Sequence, residues 1–279
     1  MKTDPLLLAL DERNLAHFLS ALALVGLAAR VPGEAQNTRT CWWRDDKHFA
    51  IQSEFVPVDF QQSLFGVAHR FLTEMKWISG LGGPSHGLLA SGTDRGVNPF
   101  IALGGDTDER PLLRAFSAKV IPGDVLPQQI EELKSPSDCP NWLEQLAQGR
   151  DRQVKKGVSS WGFDCRVNAH ASDAGISSDA EGTGSQDPIF PAIELLSVVA
   201  AAFFAPAHAW PVTDRKLRVE AWTYPIPLGM AAFAGTGLIH GLPSRFLNFA
   251  CRGSAHGKGG AYRYFPEATL ETSSQQNYE

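Results

Sequence analysis

The pattern of apolar and polar positions first predicts a buried helix near the N-terminus. Leucine and other apolar residues recur at helical spacing between positions 15 and 25, which indicates a helix that packs centrally. Asp11 or Asn14 can cap the start of this helix, and the Pro32-Gly33 pair ends it. Its apolar run is about 15 residues, shorter than a membrane span requires. We therefore interpret it as a core helix rather than a membrane anchor.

The next segments predict a hairpin and a second helix. Residues 40–55 read as two strands around an Asp-Asp-Lys turn. Residues 58–78 carry apolar side chains at helical spacing and predict an amphipathic helix. Residues 80–100 are rich in Gly, Ser and Asp and predict a long irregular connection.

Later segments alternate between helical and extended patterns. Residues 109–121, 140–150 and 188–206 predict helices. Residues 216–228 predict a strand with Leu217, Val219 and Ala221 on one face and with Arg218, Glu220 and Trp222 on the other. Two further short strands are predicted over 245–253 and 261–268.

Together these elements predict an α+β fold, with amphipathic helices packed on short antiparallel sheets and with long irregular loops. We expect a single domain over residues 1–267, followed by a flexible C-terminal tail over 268–279; a subdivision of the domain near 130–160 is the alternative.

Composition bounds the class of protein. The chain has 279 residues, of which 43% are hydrophobic and 20% are charged, and this ordinary globular composition excludes wholesale disorder. Its four cysteines are widely separated and form no Cys-x-x-Cys pair, which argues against a structural zinc site and against a disulfide scaffold. A reducing cytoplasm is the simplest location.

One polar segment, residues 161–175, offers candidate chemistry. Asp164, His170 and Asp173 could ligate a metal ion in a nuclease or hydrolase. However, their spacing matches no known metal or acid–base motif, and Asn168 and Asp173 are good turn formers. We therefore interpret the segment as a turn, and we expect no catalytic residue, metal or cofactor.

A basic, acid-free segment favours nucleic-acid binding instead. No Asp or Glu lies between His240 and Pro266, and the glycine-rich, aromatic-interleaved character of this segment is typical of a nucleic-acid contact. Its basic residues are Arg245, Arg252, Lys258 and Arg263. A second basic run just before the polar segment includes Lys155 and Lys156. A solvated hairpin with ordinary surface cations is the alternative reading.

Several segments in order suggest a family. These are "FDCRVNAHASDAG", "FPAIELLSVVAAAFFAP", "RVEAWTYPIPLGMAAFAG" and "FLNFACRGSAHGKGGAYRYFPEA", together with the N-terminal "NLAHFLSALALVGLAAR". In this order they resemble the type I-U (also called I-G) CRISPR-associated proteins of the Csb-three kind. That family is regarded as a divergent large-subunit candidate of an RNA-guided surveillance complex. The resemblance covers the N-terminal helix and residues 160–268, whereas residues 80–150 match no family.

The resemblance implies a non-catalytic subunit of a type I CRISPR effector complex in antiviral defence. Such a subunit would bind crRNA and target DNA, contact other effector subunits and make no membrane contact. In that setting Arg166, Asn168 and His170 would contact phosphates or bases from a turn, and Arg252, Lys258 and Arg263 would neutralise the nucleic-acid backbone. Two alternatives stay open: a metal-dependent nuclease or hydrolase, and a scaffold subunit with protein contacts only.

Overall fold

A computed structural model provides the fold of several separate parts of the chain. The residues that it describes are 3–33, 38–55, 57–74, 76–78, 87–89, 164–166, 193, 196–197, 200, 212–213, 216–235, 239, 241–250, 252–253, 263–264 and 266–271.

Short strands and helices alternate along the described chain. The helices whose bounds the structure gives are α1 (Leu15–Ala28), α2 (Pro57–Glu74) and α3 (Ala231–Gly235), with a 3-10 turn at Leu228–Met230. The strands are β1 (Leu6–Leu8), β2 (Thr40–Trp43), β3 (Phe49–Gln52), β4 (Lys76–Ile78), β5 (Gly87–Leu89), β6 (Val212–Thr213), β7 (Lys216–Trp222), β8 (Ile226–Pro227), β9 (Ser244–Ala250), β10 (Arg252–Gly253), β11 (Arg263–Tyr264) and β12 (Thr269–Leu270). The predicted α+β class is confirmed.

The N-terminal sheet contains four antiparallel strands in the order β1-β3-β2-β8. The predicted hairpin forms its centre, because β2 and β3 pair across the turn that carries Asp45, Asp46 and Lys47. Lys47 has a φ of 61°, a left-handed conformation that lets the tight turn close.

The C-terminal sheet also contains four antiparallel strands, in the order β12-β9-β7-β6. Strands β7 and β9 pair over their full lengths, from Lys216 opposite Ala250 to Trp222 opposite Ser244. Residues 269–270, which lie in the predicted C-terminal tail, form β12 and pair with β9 in this sheet. Two shorter antiparallel pairs, β4–β5 and β10–β11, complete the described strands.

Helix α1 is the centre of the core. All of its 14 residues are buried, so the predicted central position is confirmed, although a single apolar face was too narrow an expectation. The reason is that both sheets pack on it: the Phe18 ring stacks on Trp43 of β2 at 5.6 Å and contacts Phe249 of β9 at 6.4 Å. The backbone N–H of Ala16 donates to the Asn14 side chain, which identifies Asn14 as the N-cap.

The C-terminal end of α1 is closed by a buried arginine. The Arg39 side chain is fully buried, and its guanidinium donates to the carbonyl oxygens of Ala28 at 2.7 Å and Val31 at 2.6 Å. It also lies over the ring of Phe60 on α2, 5.8 Å from the ring centre. The Ala28 carbonyl also accepts from the backbone N–H of Val31 at 3.2 Å. The cation therefore adds a second donor to Ala28 and supplies a donor to the Val31 carbonyl at the negative end of the helix dipole.

Two predicted elements differ in extent from the structure. The helix expected over 58–78 ends at Glu74, and Lys76–Ile78 forms β4 instead. Part of the expected 80–100 connection is also regular, because Gly87–Leu89 pairs with β4 as β5. Strand partners are distant in sequence, and helical spacing alone does not reveal where one element gives way to another. Of the helix predicted over 188–206, the described residues Ile193, Leu196, Ser197 and Ala200 are helical and buried.

A tryptophan side chain joins the two large sheets. Trp222 at the end of β7 was expected on the polar face of its strand, but it is fully buried. Its indole Nε1 donates to the backbone oxygen of Cys41 on β2 at 2.8 Å. The predicted alternation of buried and exposed side chains therefore holds at the centre of β7, but it fails at Trp222, which the N-terminal sheet covers. Among the described residues, no helix combines the length and the apolar character needed to cross a membrane.

Candidate functional site

The C-terminal sheet presents a polar face with one aromatic side chain on the side away from α1. On the inner side, Val219, Ala221, Leu247 and Phe249 are buried. Residues directly opposite each other in an antiparallel ladder share a face. The register therefore brings together a set that we call the outer face: Arg218, Glu220, Phe246, Asn248, Thr269 and Glu271.

Arg218 is the centre of the outer face. Its guanidinium lies over the Phe246 ring, 4.5 Å from the ring centre, which is within cation–π range. The same guanidinium forms an ion pair with Glu271 at 3.1 Å. The Arg218 side chain is 49% exposed, so a charged planar group is stacked on an aromatic ring at the surface.

Asn248 and Arg218 hold the same carboxylate. The Asn248 side-chain nitrogen donates to one oxygen of Glu271 at 2.8 Å, while Arg218 contacts the other oxygen. Asn248 and Arg218 are paired directly in the ladder, which fixes their separation. Donors from two neighbouring strands thus converge on one anionic group.

Arg245, a predicted nucleic-acid contact, lies in an intramolecular ion cluster. Its guanidinium pairs with Glu12 at 2.9 Å and with Asp45 on the β2–β3 turn. The side chain is only 23% exposed. Burial raises the pKa of the Glu12 carboxyl above its ordinary value, although the positive charge of Arg245 opposes this. Arg245 therefore joins the segment before α1 to the N-terminal sheet.

Asp164, the first residue of the proposed metal-ligand set, is a fully buried structural partner. Its carboxylate accepts from Arg166 Nη2 at 2.6 Å and from Asn14 Nδ2 at 2.8 Å. Burial raises the pKa of Asp164, but the hydrogen bonds and charge of Arg166 outweigh burial, so the net pKa is lowered. Asp164 supports the capping residue of α1, and binding a metal ion would require it to give up these partners.

Arg166, another predicted nucleic-acid contact, is therefore tied to Asp164. Both its backbone N–H and its guanidinium donate to that carboxylate, and the side chain is 33% exposed. The exposed third of the side chain is the part that could meet a ligand, whereas its charge is largely balanced by Asp164.

The thiols near these clusters are poor nucleophiles. Burial, together with the negative charge of the neighbouring Asp164 carboxylate, raises the pKa of Cys165 to about 12. Burial likewise raises the pKa of Cys41 strongly. A thiol reacts as its thiolate, so neither group is activated for covalent catalysis. No set of three or more His, Cys, Asp or Glu side chains suited to a metal ion occurs within the described ranges.

The remaining predicted residues are only partly located. Arg252 and Arg263 lie on β10 and β11, where Arg252 pairs with Tyr264 and Arg263 with Gly253. Arg252 and Arg263 therefore belong to successive residue pairs of the ladder and are not directly opposed. The other predicted positions lie outside the described residues; these are Lys155, Lys156, Asn168, His170, Asp173 and Lys258.

The sequence contained part of the signal for the outer face. Alternation along β7 correctly separated Arg218 and Glu220 from the buried residues. What the pattern could not supply was the register that brings Phe246, Asn248 and Glu271 beside Arg218, because register depends on pairing between distant segments.

Comparison with known proteins adds no identification. No protein-family model matches the chain, and neither the curated proteins nor the solved structures include a match.

Proposed function

We propose that this chain is a non-catalytic, nucleic-acid-binding subunit of a type I CRISPR effector complex that acts in the cytoplasm. The order of the segments that resemble the Csb-three proteins of type I-U (I-G) systems supports the assignment to such a complex. The single structural observation that supports nucleic-acid binding is the exposed stack of Arg218 on Phe246. Its partners are crRNA or target DNA and the neighbouring effector subunits.

A stacked arginine on a sheet suits this role for two reasons. Guanidinium groups bind phosphate through charge-assisted hydrogen bonds. Their planar faces, like aromatic rings, also stack on unpaired bases. Arg218 offers both properties from one exposed position over the Phe246 ring.

The internal ion pairs help to divide the predicted contacts by role. Arg245 and Arg166 each pair with a buried or nearly buried carboxylate, so we assign them first to holding α1 and its neighbours in place. We assign direct contact to Arg218 and keep Arg252, Lys258 and Arg263 as additional backbone contacts. Lys155, Lys156, Asn168 and His170 stay predictions from the sequence.

Co-expression tests the proposal directly. The full chain is tagged and expressed with a guide RNA and the neighbouring effector genes, and we expect it to purify within the ribonucleoprotein. Ultraviolet crosslinking followed by mass spectrometry should then find nucleic acid on peptides from β7 or β9. A chain that never enters the ribonucleoprotein would refute the assignment to this complex. Entry without any nucleic-acid crosslink would instead establish a scaffold role and refute nucleic-acid binding.

A nuclease assay tests the opposing class of function. The purified chain is incubated with single-stranded and duplex substrates in Mg²⁺ or Mn²⁺, and we expect no cleavage above that of a mock preparation. Metal-dependent cleavage that is lost in Asp164→Asn but kept in the surface control Asp46→Asn would overturn the proposal. Asp46 is a suitable control because it is an exposed carboxylate on the β2–β3 turn.

A further inference from the structure

We infer that Glu271 occupies an internal anion-binding position, formed by Arg218 and Asn248, that receives a phosphate of single-stranded nucleic acid when Glu271 leaves. The inference rests on the proposed function and deepens it, because it names the strand type, the contact residues and an intramolecular competitor. The Glu271 carboxylate would then act as a built-in stand-in for the phosphodiester.

The geometry of the Glu271 carboxylate supports this reading. One oxygen is 3.1 Å from the Arg218 guanidinium and the other accepts from Asn248 at 2.8 Å. A phosphodiester also presents two anionic oxygens to paired donors, and arginine is well suited to bind them. The two donors lie on adjacent strands in directly opposed positions, so the sheet holds them in place.

The competitor is attached weakly enough to leave. Strand β12 has only two residues, and Glu271 follows it with one backbone hydrogen bond, from its N–H to the oxygen of Phe246 at 3.0 Å. The side chains of Arg218 and Glu271 are 49% and 42% exposed. Ion pairs as exposed as this one contribute little to stability, so a polyanion can compete with Glu271.

The surroundings of the anion position favour a single strand. The Arg218 guanidinium lies over the Phe246 ring and its side chain is 49% exposed, so a base attached to the bound phosphate can stack beside this pair. Bases in a duplex are already stacked and paired, so they cannot stack on the surface of a sheet in this way. Stacking of this kind tolerates any base, as in known platforms for single strands.

The test measures binding of the full chain to a fluorescein-labelled 12-nucleotide oligouridine by fluorescence anisotropy over a series of salt concentrations. Glu271→Gln removes the competing charge and should tighten binding roughly two- to fivefold, the range that an exposed ion pair represents. Glu54→Gln is the matched control, since Glu54 is an exposed carboxylate elsewhere on the surface, and it should leave affinity unchanged.

Arginine variants separate charge from stacking. Arg218→Ala should weaken binding by about tenfold and reduce the slope of log K against log salt by about one. Arg218→Lys keeps the charge without the plane, so it should retain the salt slope and still lose affinity. Arg44→Ala removes another exposed, ion-paired arginine and should have little effect. Circular dichroism confirms that each variant is folded.

The outcomes distinguish this inference from the proposed function. If the wild-type chain binds the oligonucleotide but Glu271→Gln and Arg218→Ala match their controls, the anion position is refuted while nucleic-acid binding stands. If Glu54→Gln tightens binding as much as Glu271→Gln does, the gain comes from the change in net charge, and the anion position is refuted. Tighter binding of a 12-base-pair duplex than of the single strand refutes the strand preference. Absence of binding by both wild type and Glu271→Gln refutes the inference outright, and co-purification then decides the proposed function separately.

Discussion

Replacing Arg39 with Met should destabilise the protein more than any change to an exposed arginine. Met has a similar length and keeps an apolar stem beside the Phe60 ring, but it donates no hydrogen bond. The carbonyl groups of Ala28 and Val31, which accept from Arg39 at 2.7 and 2.6 Å, then lose this donor in the protein interior. The change therefore isolates the closure of the α1 C-terminus.

The expected magnitude follows from these two acceptors. The Val31 carbonyl is left without this buried donor, which costs about 1–3 kcal/mol. The Ala28 carbonyl still accepts from the backbone N–H of Val31 at 3.2 Å, so the bond that it loses costs about 1 kcal/mol. Removing the guanidinium also removes the cost of burying its charge, which offsets part of this loss. We expect the free energy of unfolding to fall by about 2 kcal/mol, a large fraction of the total stability of an ordinary domain.

Urea unfolding followed by tryptophan fluorescence measures this change. Trp43 and Trp222 are fully buried, so their emission reports loss of the core. Arg44→Met is the matched control, because Arg44 pairs with Asp46 at the surface and should lose less than about 1 kcal/mol. A free energy of unfolding for Arg39→Met within about 0.5 kcal/mol of the wild-type value is typical of ordinary surface substitutions. That result would show that Arg39 does not stabilise the C-terminal end of α1.

Two further predictions concern the Asp164 cluster. Asp164→Asn leaves Arg166 without its carboxylate and should lower the free energy of unfolding by about 2 kcal/mol at pH 7, less than for a fully enclosed pair because Arg166 is 33% exposed. The pKa of Asp164 is lowered in the folded state, so its ionised carboxylate stabilises the fold fully above pH 3.8, the ordinary pKa of an aspartate. This stabilisation is lost as the pH falls through the lower pKa of the folded state. Urea unfolding across this range should show the two proteins converging at low pH, and a constant difference would contradict the assignment. The Cys165 thiol, with a pKa of about 12, should react with iodoacetamide at pH 8 on the order of 1,000-fold more slowly than an ordinary thiol, as peptide mass mapping can show; reaction at an ordinary rate would contradict its burial.

Local signals in the sequence predicted the parts of the fold that depend on neighbouring residues. The sequence predicts Asp11 or Asn14 as the cap of α1, because a capping side chain bonds a backbone group only two or three residues away. The β2–β3 hairpin and strand β7 were likewise predictable, since a turn and an alternating pattern are local properties.

Contacts between residues that lie far apart in the sequence could not be predicted from it. The bond from Asn14 to Asp164 joins positions 150 apart, and no spacing rule connects them. This bond changes the interpretation of Asp164 from a possible metal ligand to a support for the helix cap. Arg245 is a similar case: its segment lacks acidic residues, but Glu12 and Asp45 reach it from the other end of the chain.

The complete burial of α1 has a consequence for the protein during its synthesis. Helix α1 ends at Ala28, whereas β9, which supplies Phe249 against Phe18, begins only at Ser244. At typical translation rates of about 5–20 residues per second, this interval lasts on the order of 10–40 s. A nascent helix that is buried on every side in the folded protein lacks its C-terminal cover for all of that time, and its apolar residues need shielding until the final strands leave the ribosome.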